Sequence, residues 1–235
     1  MIKKAMEYVQ ELSRPQVFDF NGKKYTDKPL SRVDREPKAE CMRLTTLSSL
    51  IEYIKSGWDF DRNYIIHVQS PDRVLVMSTL DIEREREIIV EVQAHLPSFA
   101  YGSYMDHEAF CIALQSKFVD EADRALLLKF AGTVEDGSVA EYGDDGVSQK
   151  ATVKTGIASK SDVLVPSPVH LAPFRTFVEV EQPVSAFIFR MQNKSGVQCA
   201  LFEADGGAWK LEAMARVKEY LRAELEEYKN FIVIS

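Results

Sequence analysis

The sequence predicts an α+β fold with largely antiparallel sheets, segregated helices, and a C-terminal helix that is followed by a terminal strand. Two observations lead to this class. Apolar stretches typical of strands occur in groups, whereas in a doubly wound fold they would alternate one by one with helices. Helical periodicity is confined to other segments, and an apolar content of 46% supplies enough side chains for a sizeable core.

The first part of the chain is predicted to run from a helix through a hairpin to a second helix. The segment MIKKAMEYVQEL has the spacing of a short amphipathic helix. Asn21-Gly22 supplies the positive φ angles of a type I′ turn, so a β-hairpin is expected around it. Within residues 45–57, threonines precede a helical apolar pattern and Gly57 follows it, which predicts a capped helix.

Three strands and two helices are expected next. The apolar segments between residues 63 and 97 read as strands, and Pro71-Asp72 is typical of the turn between the first two. Asp106 and Asp120 each precede a stretch with helical spacing, so each is expected to cap the N-terminus of a helix.

The remainder is predicted to be rich in strands and to contain the last helix. On that helix, Trp209, Ala213, Val217, Leu221 and Leu225 recur at every fourth position and mark the packing face. The strand segments expected before and after it are SQKATVKTGIA, DVLVPSPVHL, FRTFVEV, SAFIFRM, VQCALFE and FIVIS.

Charge and composition exclude several classes of protein. The net charge of −7 argues against a broad phosphate-neutralising surface, which dominates non-specific DNA binding. No apolar run is long enough to span a bilayer, and the first segment lacks the continuous apolar stretch of a signal peptide. Cys41, Cys111 and Cys199 are isolated and are expected to be buried thiols. These features predict an intracellular protein without membrane contact or a disulfide framework.

A single α+β domain over residues 1–235 is expected. Glycine and aspartate residues cluster around Asp144-Asp145, where a subdivision into a mixed half, 1–134, and a β-rich half, 147–235, is possible. Aspartate side chains bond their own backbone in turns, and glycine adopts positive φ there at little cost. A structural hinge or loop is therefore favoured for this cluster over an acidic site.

A metal-dependent hydrolase would need three or four convergent oxygen or nitrogen ligands. The weak candidates are Asp144, Asp145, Glu203 and Asp205. Asp205 precedes a helix, and a carboxylate stabilises a helix N-terminus without any metal, so capping is favoured there. Sequence motifs of nucleotide-binding loops, zinc proteases and serine hydrolases are absent, so no catalytic residue and no cofactor is assigned.

A base-stacking surface is the second site hypothesis. Arg175, Phe177 and Arg190 lie in the segments FRTFVEV and SAFIFRM, and arginines interleaved with aromatic rings are typical of single-strand binding. The neighbouring phenylalanines in SAFIFRM share one strand face, which favours a role in the core. The negative net charge also opposes nucleic-acid binding.

Several segments together resemble a known group of proteins. In chain order they are LTTLSSLIEYIKS, LPSFAYGSYMDHEAFCIALQSKF, GDDGVSQKATVKTGIA, VPSPVHLAPFRTFVEVEQPVSAFIFRM and ALFEADGGAWKLEAM. Over residues 40–225 the chain resembles the YfdQ-like family of uncharacterised phage and prophage proteins. The resemblance implies a phage or prophage origin and expression in the cytoplasm of a bacterial host. It implies no catalytic residue.

These observations predict a non-enzymatic phage- or prophage-encoded cytoplasmic protein that acts through protein–protein contact or homo-oligomeric assembly. Its partner would be a second copy of the chain, or a phage or host protein, and FIVIS is a candidate strand for pairing with a neighbouring sheet. The alternative is an accessory factor of phage DNA recombination or replication that binds single-stranded nucleic acid or a recombination protein. A metal-dependent hydrolase is a distant third.

Overall fold

Two structural units make up the chain: Met1–Ala39, the N-terminal unit, and Glu40–Ser235, the main unit. In the three strands between residues 139 and 164, only the backbone is described. The residues that the computed structural model describes are 2–29, 38–133, 139–144, 149–155, 159–164, 167–193 and 196–235.

The N-terminal unit consists of a helix and a hairpin. Helix α1 spans Ile2–Ser13, and the strands β1 (Val17–Phe20) and β2 (Lys23–Thr26) pair in the antiparallel sense. Asn21 and Gly22 have φ angles of 53° and 71°, which are the two positive values of a type I′ turn. The predicted hairpin is confirmed.

The main unit combines two helix-covered sheets with a smaller sheet. Its elements in chain order are β3 (Met42–Leu44), α2 (Leu47–Ser56), β4 (Tyr64–Ser70), β5 (Arg73–Ser78), β6 (Ile88–Gln93), β7 (Met105–Asp106), α3 (His107–Lys117), α4 (Arg124–Thr133), β8 (Val139–Asp144), β9 (Gln149–Thr155), β10 (Ser159–Leu164), β11 (Val169–Leu171), β12 (Ser185–Asn193), β13 (Val197–Glu203), α5 (Trp209–Glu224) and β14 (Phe231–Ile234).

The first sheet has five strands in the order β14-β4-β5-β6-β3. Its outer pairs, β14 with β4 and β3 with β6, are parallel, and the inner pairs are antiparallel. Helices α2 and α5 cover one face and share a core with it. Thr46 accepts a hydrogen bond from the Ser49 N–H at 3.2 Å and caps α2, while Gly57 ends that helix with a φ of 71°. Both predicted caps are confirmed.

The predicted packing face of α5 is also confirmed for four of its five members. Ala213, Val217, Leu221 and Leu225 are buried, and the fifth, Trp209, is half-buried at the start of the helix. Residues four apart lie on one side of a helix, so this stripe reaches the sheet along its length.

The second sheet has four strands in the order β11-β12-β13-β7, all antiparallel, and shares its core with α3 and α4. Asp106 caps α3 as predicted, since its carboxylate accepts a hydrogen bond from the Ala109 N–H at 2.9 Å. The prediction that Asp120 caps the next helix is wrong. Its carboxylate instead pairs with the Arg124 side chain, because α4 begins four residues later.

The third sheet is an antiparallel meander in the order β10-β9-β8. Gly143 and Asp144, which the sequence places in a hinge or loop, are the last residues of β8 and pair with Lys150 and Gln149. Asp145 lies outside the described residues. The subdivision predicted near this point stays a prediction.

The α+β class is confirmed, with mostly antiparallel sheets and a C-terminal helix, α5, followed by the strand β14. One predicted strand is wrong: the segment FRTFVEV, residues 174–180, belongs to the loop between β11 and β12. The physical reason lies in the hydrogen bonds of that loop, which also position the candidate site.

Candidate functional site

The loop between β11 and β12 is folded around the side chain of Gln182. The amide oxygen accepts from the N–H groups of Arg175 and Thr176 at 2.9 and 3.1 Å. The amide nitrogen donates to the carbonyls of Thr176, Phe177 and Val180 at 3.4, 3.0 and 3.2 Å. One buried side chain therefore satisfies the backbone groups that a neighbouring strand would otherwise pair, and the segment does not become a strand.

The same loop connects the main unit's two helix-covered sheets, because it follows a strand of one and its side chains contact the other. Phe177 is buried in the core of the five-stranded sheet, and the Thr176 hydroxyl donates to the Pro71 carbonyl at 2.5 Å. Glu179 accepts a hydrogen bond from the Ser48 N–H at 3.1 Å, in the first turn of α2. A carboxylate at this end of a helix stabilises it through the macrodipole. The loop is thus a structural clamp.

The Arg175 side chain brings an acid, a hydroxyl group and two aromatic rings together next to this loop. Its Nη1 donates to Glu203 Oε1 at 2.8 Å, and its Nη2 donates to Ser185 Oγ at 2.5 Å. The guanidinium carbon lies 4.0 Å from the ring centroid of Trp209 and 5.5 Å from that of Phe187. Arginine suits this place because its planar fork stacks on aromatic rings while it holds two oxygens.

Burial and charge act in opposite directions on this group. Burial lowers the pKa of Arg175, and the carboxylates of Glu203 and Asp205 oppose that effect. Burial also favours the neutral form of Asp205, yet hydrogen bonds from Ser185 and the Gly207 N–H, together with the Arg175 charge, leave its pKa below the usual value. The Asp205 carboxylate therefore lies in its charged form near the buried guanidinium, which also pairs with Glu203.

Residues from two separate site hypotheses therefore meet in one place. By sequence, Arg175 is a candidate for nucleic-acid binding, and Glu203 and Asp205 are candidates for metal binding. In the structure, the cation next to these two acids is the Arg175 guanidinium. Within the residues that the structure describes, no three histidine, cysteine, aspartate or glutamate side chains converge to hold a metal ion. Of Asp144 only the backbone is described. Asp205 also accepts from the Gly207 N–H at 3.0 Å, but Gly207 precedes the helix. The N-cap residue of α5 is Ala208, which makes no side-chain cap hydrogen bond, so the prediction that Asp205 caps this helix is wrong.

Asp205→Asn is expected to weaken the pH dependence of stability in acid. The folded-state pKa of Asp205 is lowered, so the carboxylate contributes stability above its unfolded pKa of about 3.9 and loses it as the pH falls through the folded value. Urea unfolding measured from about pH 6 down to about pH 2 tests this, because the asparagine variant should lose less stability over that range. Parallel profiles for the two proteins would contradict the assigned contacts.

The base-stacking surface is not formed by the predicted residues. Phe177 is 1% exposed, so its ring is covered by the core, and the Arg175 guanidinium is engaged with Glu203. Arg190 is half-buried and donates to the Phe189 carbonyl at 3.1 Å. A base needs an open ring face to stack on. The pattern of arginine and phenylalanine reflects packing of the core instead.

His107 and Cys111 lie one turn apart on α3 and do not have the arrangement of a catalytic pair. Nε2 of His107 is 2.7 Å from the Ala131 carbonyl oxygen and 3.6 Å from Cys111 Sγ. A carbonyl only accepts, so Nε2 carries a proton and cannot take one from the thiol. Burial raises the pKa of Cys111 and raises that of Cys199 to about 12. Cys199 is buried as predicted, whereas Cys41 and Cys111 are half-buried.

The N-terminal unit presents two exposed apolar surfaces. In the hairpin, Phe18 lies opposite Tyr25, and Phe20 projects to the same side as Phe18. These three exposed residues form the apolar part of that side, here called the hairpin face, and Lys23 lies beside them opposite Phe20. Every residue of α1 is exposed as well, and its apolar side chains lie along one side of the helix. This α1 stripe consists of Ile2, Ala5, Met6, Val9 and Leu12.

The five-stranded sheet has a third exposed apolar surface at β14. Val233 is buried on the side that α5 covers, so the alternating residues Ile232 and Ile234 point to the other side and are exposed. Ile88, on the strand β6 of the same sheet, is exposed too. Sequence alone located the strand, but which of its residues remain exposed depends on where α5 packs.

A charged side chain contacts the free edge of β14. The Asn230 carbonyl accepts from the Tyr64 N–H at 2.8 Å, so in this parallel ladder Val233 directs its N–H and carbonyl away from β4. Arg222 donates to that carbonyl at 3.2 Å. A charged group on an edge strand disfavours pairing with another chain. This contact opposes the hypothesis that FIVIS adds to a neighbouring sheet.

The chain matches no protein-family model, no curated protein and no solved structure. Among the described helices, none combines the length and the apolar character that crossing a membrane requires.

Proposed function

We propose that the chain is a phage- or prophage-encoded protein of the bacterial cytoplasm that has no catalytic activity and acts through protein–protein contact, as a homo-oligomer joined by its N-terminal unit. The observation that carries the proposal is the full exposure of α1, β1 and β2, including the α1 stripe and the hairpin face. The phage origin rests on the resemblance of residues 40–225 to the YfdQ-like family.

Small elements without buried side chains are marginal in water. A helix of 12 residues is near the lower limit for an isolated helix, and a two-stranded hairpin is marginally stable on its own. Contiguous exposed apolar surface on a protein usually marks a contact with a partner. The N-terminal unit therefore gains more from a partner than a well-packed unit would.

The exposed apolar side chains of α1 supply part of the free energy that a contact requires. Ile2, Met6, Val9 and Leu12 are 79, 68, 63 and 58% exposed. Full burial of one such side chain contributes about 1.5 to 3 kcal/mol, so covering these four contributes about 4 to 8 kcal/mol per chain. The free energy of burial from both chains, with their hairpin faces included, exceeds the lower estimates of the free-energy cost of association. These estimates start at about 4 kcal/mol.

Self-association is favoured over the other hypotheses by three features. The net charge of −7 opposes binding to a phosphate backbone, and the buried Phe177 is unavailable to a base. The acids Glu203 and Asp205 already face Arg175. A closed dimer uses the same surface patch on both subunits, so a single exposed unit is sufficient to form one.

Leu12→Asp is expected to dissociate the assembly, because a carboxylate would replace an apolar side chain in the contact and lose part of its hydration there. A cost of about 3 kcal/mol corresponds to a dissociation constant raised by about 100-fold. Light scattering on a sizing column, over a range of concentrations, measures the mass of each variant.

Ile232→Asp is the matched control, because Ile232 is 59% exposed and Leu12 is 58% exposed. It is expected to keep the mass of the natural protein. The proposal is wrong if the natural protein is a monomer at the highest concentration reached, or if only the Ile232 variant dissociates.

A further inference from the structure

We propose that the two copies exchange their N-terminal helices, so that the α1 stripe of each copy packs on the hairpin face of the other. This inference rests on the proposed function and names the surfaces that meet. The partner is a second copy of this chain, and the contact is reciprocal.

The two surfaces are the halves of an ordinary two-layer packing. Helices and sheets are stable when the apolar stripe of one covers the apolar face of the other. The α1 stripe and the hairpin face, formed by Phe18, Phe20 and Tyr25, are both exposed within one chain. The helix is long enough to span the strands, since a helix of 12 residues extends about 18 Å and a strand of four residues about 13 Å.

The chain's own α1 is held at the base of the hairpin and does not cover the hairpin face. The Gln16 N–H donates to Asp27 Oδ1 at 2.7 Å, and the Asp27 N–H donates to the Gln16 carbonyl at 3.3 Å. The Lys28 ammonium donates to the Leu12 carbonyl in the last turn of α1. These contacts fix the end of the helix while its stripe stays exposed.

The connection between α1 and β1 favours exchange between copies. It consists of Arg14, Pro15 and Gln16, and proline restricts the backbone of this short segment. Short connections that cannot easily reverse direction favour the swapping of an element between identical chains. A second copy supplies both missing surfaces at once, because its own stripe and hairpin face are exposed in the same way.

Other occupants of the α1 stripe fit less well. A helix that lies on a membrane surface usually has a polar face rich in lysine and arginine. In α1 the two lysines, Lys3 and Lys4, are balanced by Glu7 and Glu11. Pairing of α1 with α1 of the second copy would cover the stripes but leave the hairpin faces exposed. Exchange covers both.

Lengthening the connection provides the main test. A short Gly-Ser insertion after Pro15 is expected to let α1 fold back on its own hairpin, which converts the dimer into a monomer. Light scattering measures the mass, and circular dichroism should show that the helix content is kept. If α1 pairs with α1, the insertion leaves a dimer, and that result would overturn the exchange.

Mixing variants provides a second test that does not depend on the insertion. Phe20→Asp, on the hairpin face, should dissociate the dimer as Leu12→Asp does. When the two variants are mixed, the intact helix of one can meet the intact hairpin of the other, so a heterodimer should form that neither variant forms alone. If Leu12→Asp dissociates the protein but Phe20→Asp and the insertion do not, self-association stands and the exchange is wrong. A natural protein that is monomeric overturns both proposals.

Discussion

Replacing Gln182 by alanine is expected to lower the free energy of unfolding by about 3 to 5 kcal/mol, because several buried backbone groups lose their partner at once. The side chain is 4% exposed, and its amide oxygen serves the N–H groups of Arg175 and Thr176. Its amide nitrogen serves the three loop carbonyls of Thr176, Phe177 and Val180. Urea unfolding followed by circular dichroism measures the change.

Gln115→Ala is the control for this prediction. Gln115 is exposed on α3 and donates to the Cys111 carbonyl within the helix, so its replacement should change stability by no more than about 0.5 kcal/mol. A loss below about 1 kcal/mol for the Gln182 variant would mean that water replaces the amide and that the loop is not a clamp. Because the loop joins the two sheets, we also expect the unfolding of both cores to become less cooperative in the Gln182 variant.

Arg175→Ala is expected to cost about 2 to 4 kcal/mol, because it leaves neighbouring acids without their cation. The lower part of the usual range for buried pairs applies, since the Glu203 side chain is 42% exposed and water stabilises it in part. Stacking on Trp209 and the hydrogen bond to Ser185 are lost as well. Arg175→Lys should recover only part of the loss, because an ammonium group cannot fork to two oxygens while stacking on a ring.

Arg43→Ala is the matched control, since the Arg43 side chain is 87% exposed and its Nε lies 4.0 Å from Glu91. Such exposed pairs contribute about 0 to 1 kcal/mol. Trp209 provides a local readout: in a Trp58→Phe background it is the remaining tryptophan, and its emission should change in the Arg175 variant and not in the Arg43 variant. Equal losses for both variants would contradict the central role of Arg175.

Local signals in the sequence predict much of the secondary structure. Thr46, Gly57 and Asp106 are recognisable as caps because each acts on backbone groups within a few residues. The same holds for the Asn21-Gly22 turn. Asp120 fails as a cap because its carboxylate can also reach Arg124, and that competing contact depends on where the chain turns.

The candidate site is only partly visible in the sequence. Arg175, Glu203 and Asp205 stand out for two unrelated functions, and the contact between Arg175 and Glu203, which are 28 residues apart, is not predicted by either. Nothing in the residues next to Gln182 reveals that its amide takes the place of a strand partner. The exposure of the α1 stripe is not predicted either. An amphipathic pattern has the same spacing whether its apolar side is covered or open.

The sequence by itself determined the α+β class, the hairpin turn, most caps and the packing face of α5, since these depend on periodicity and on contacts between near neighbours. The tertiary structure alone decided three other features: the parallel pairing of β3 and β14 at the sheet edges, the loop around Gln182, and the charge balance at Arg175. The strand pairings and the ion pair of Arg175 with Glu203 join groups that are distant along the chain, whereas the contacts of Gln182 join residues two to seven positions apart that follow no helix or strand periodicity. Their partners are set by which surfaces meet on folding, and no local pattern encodes that choice.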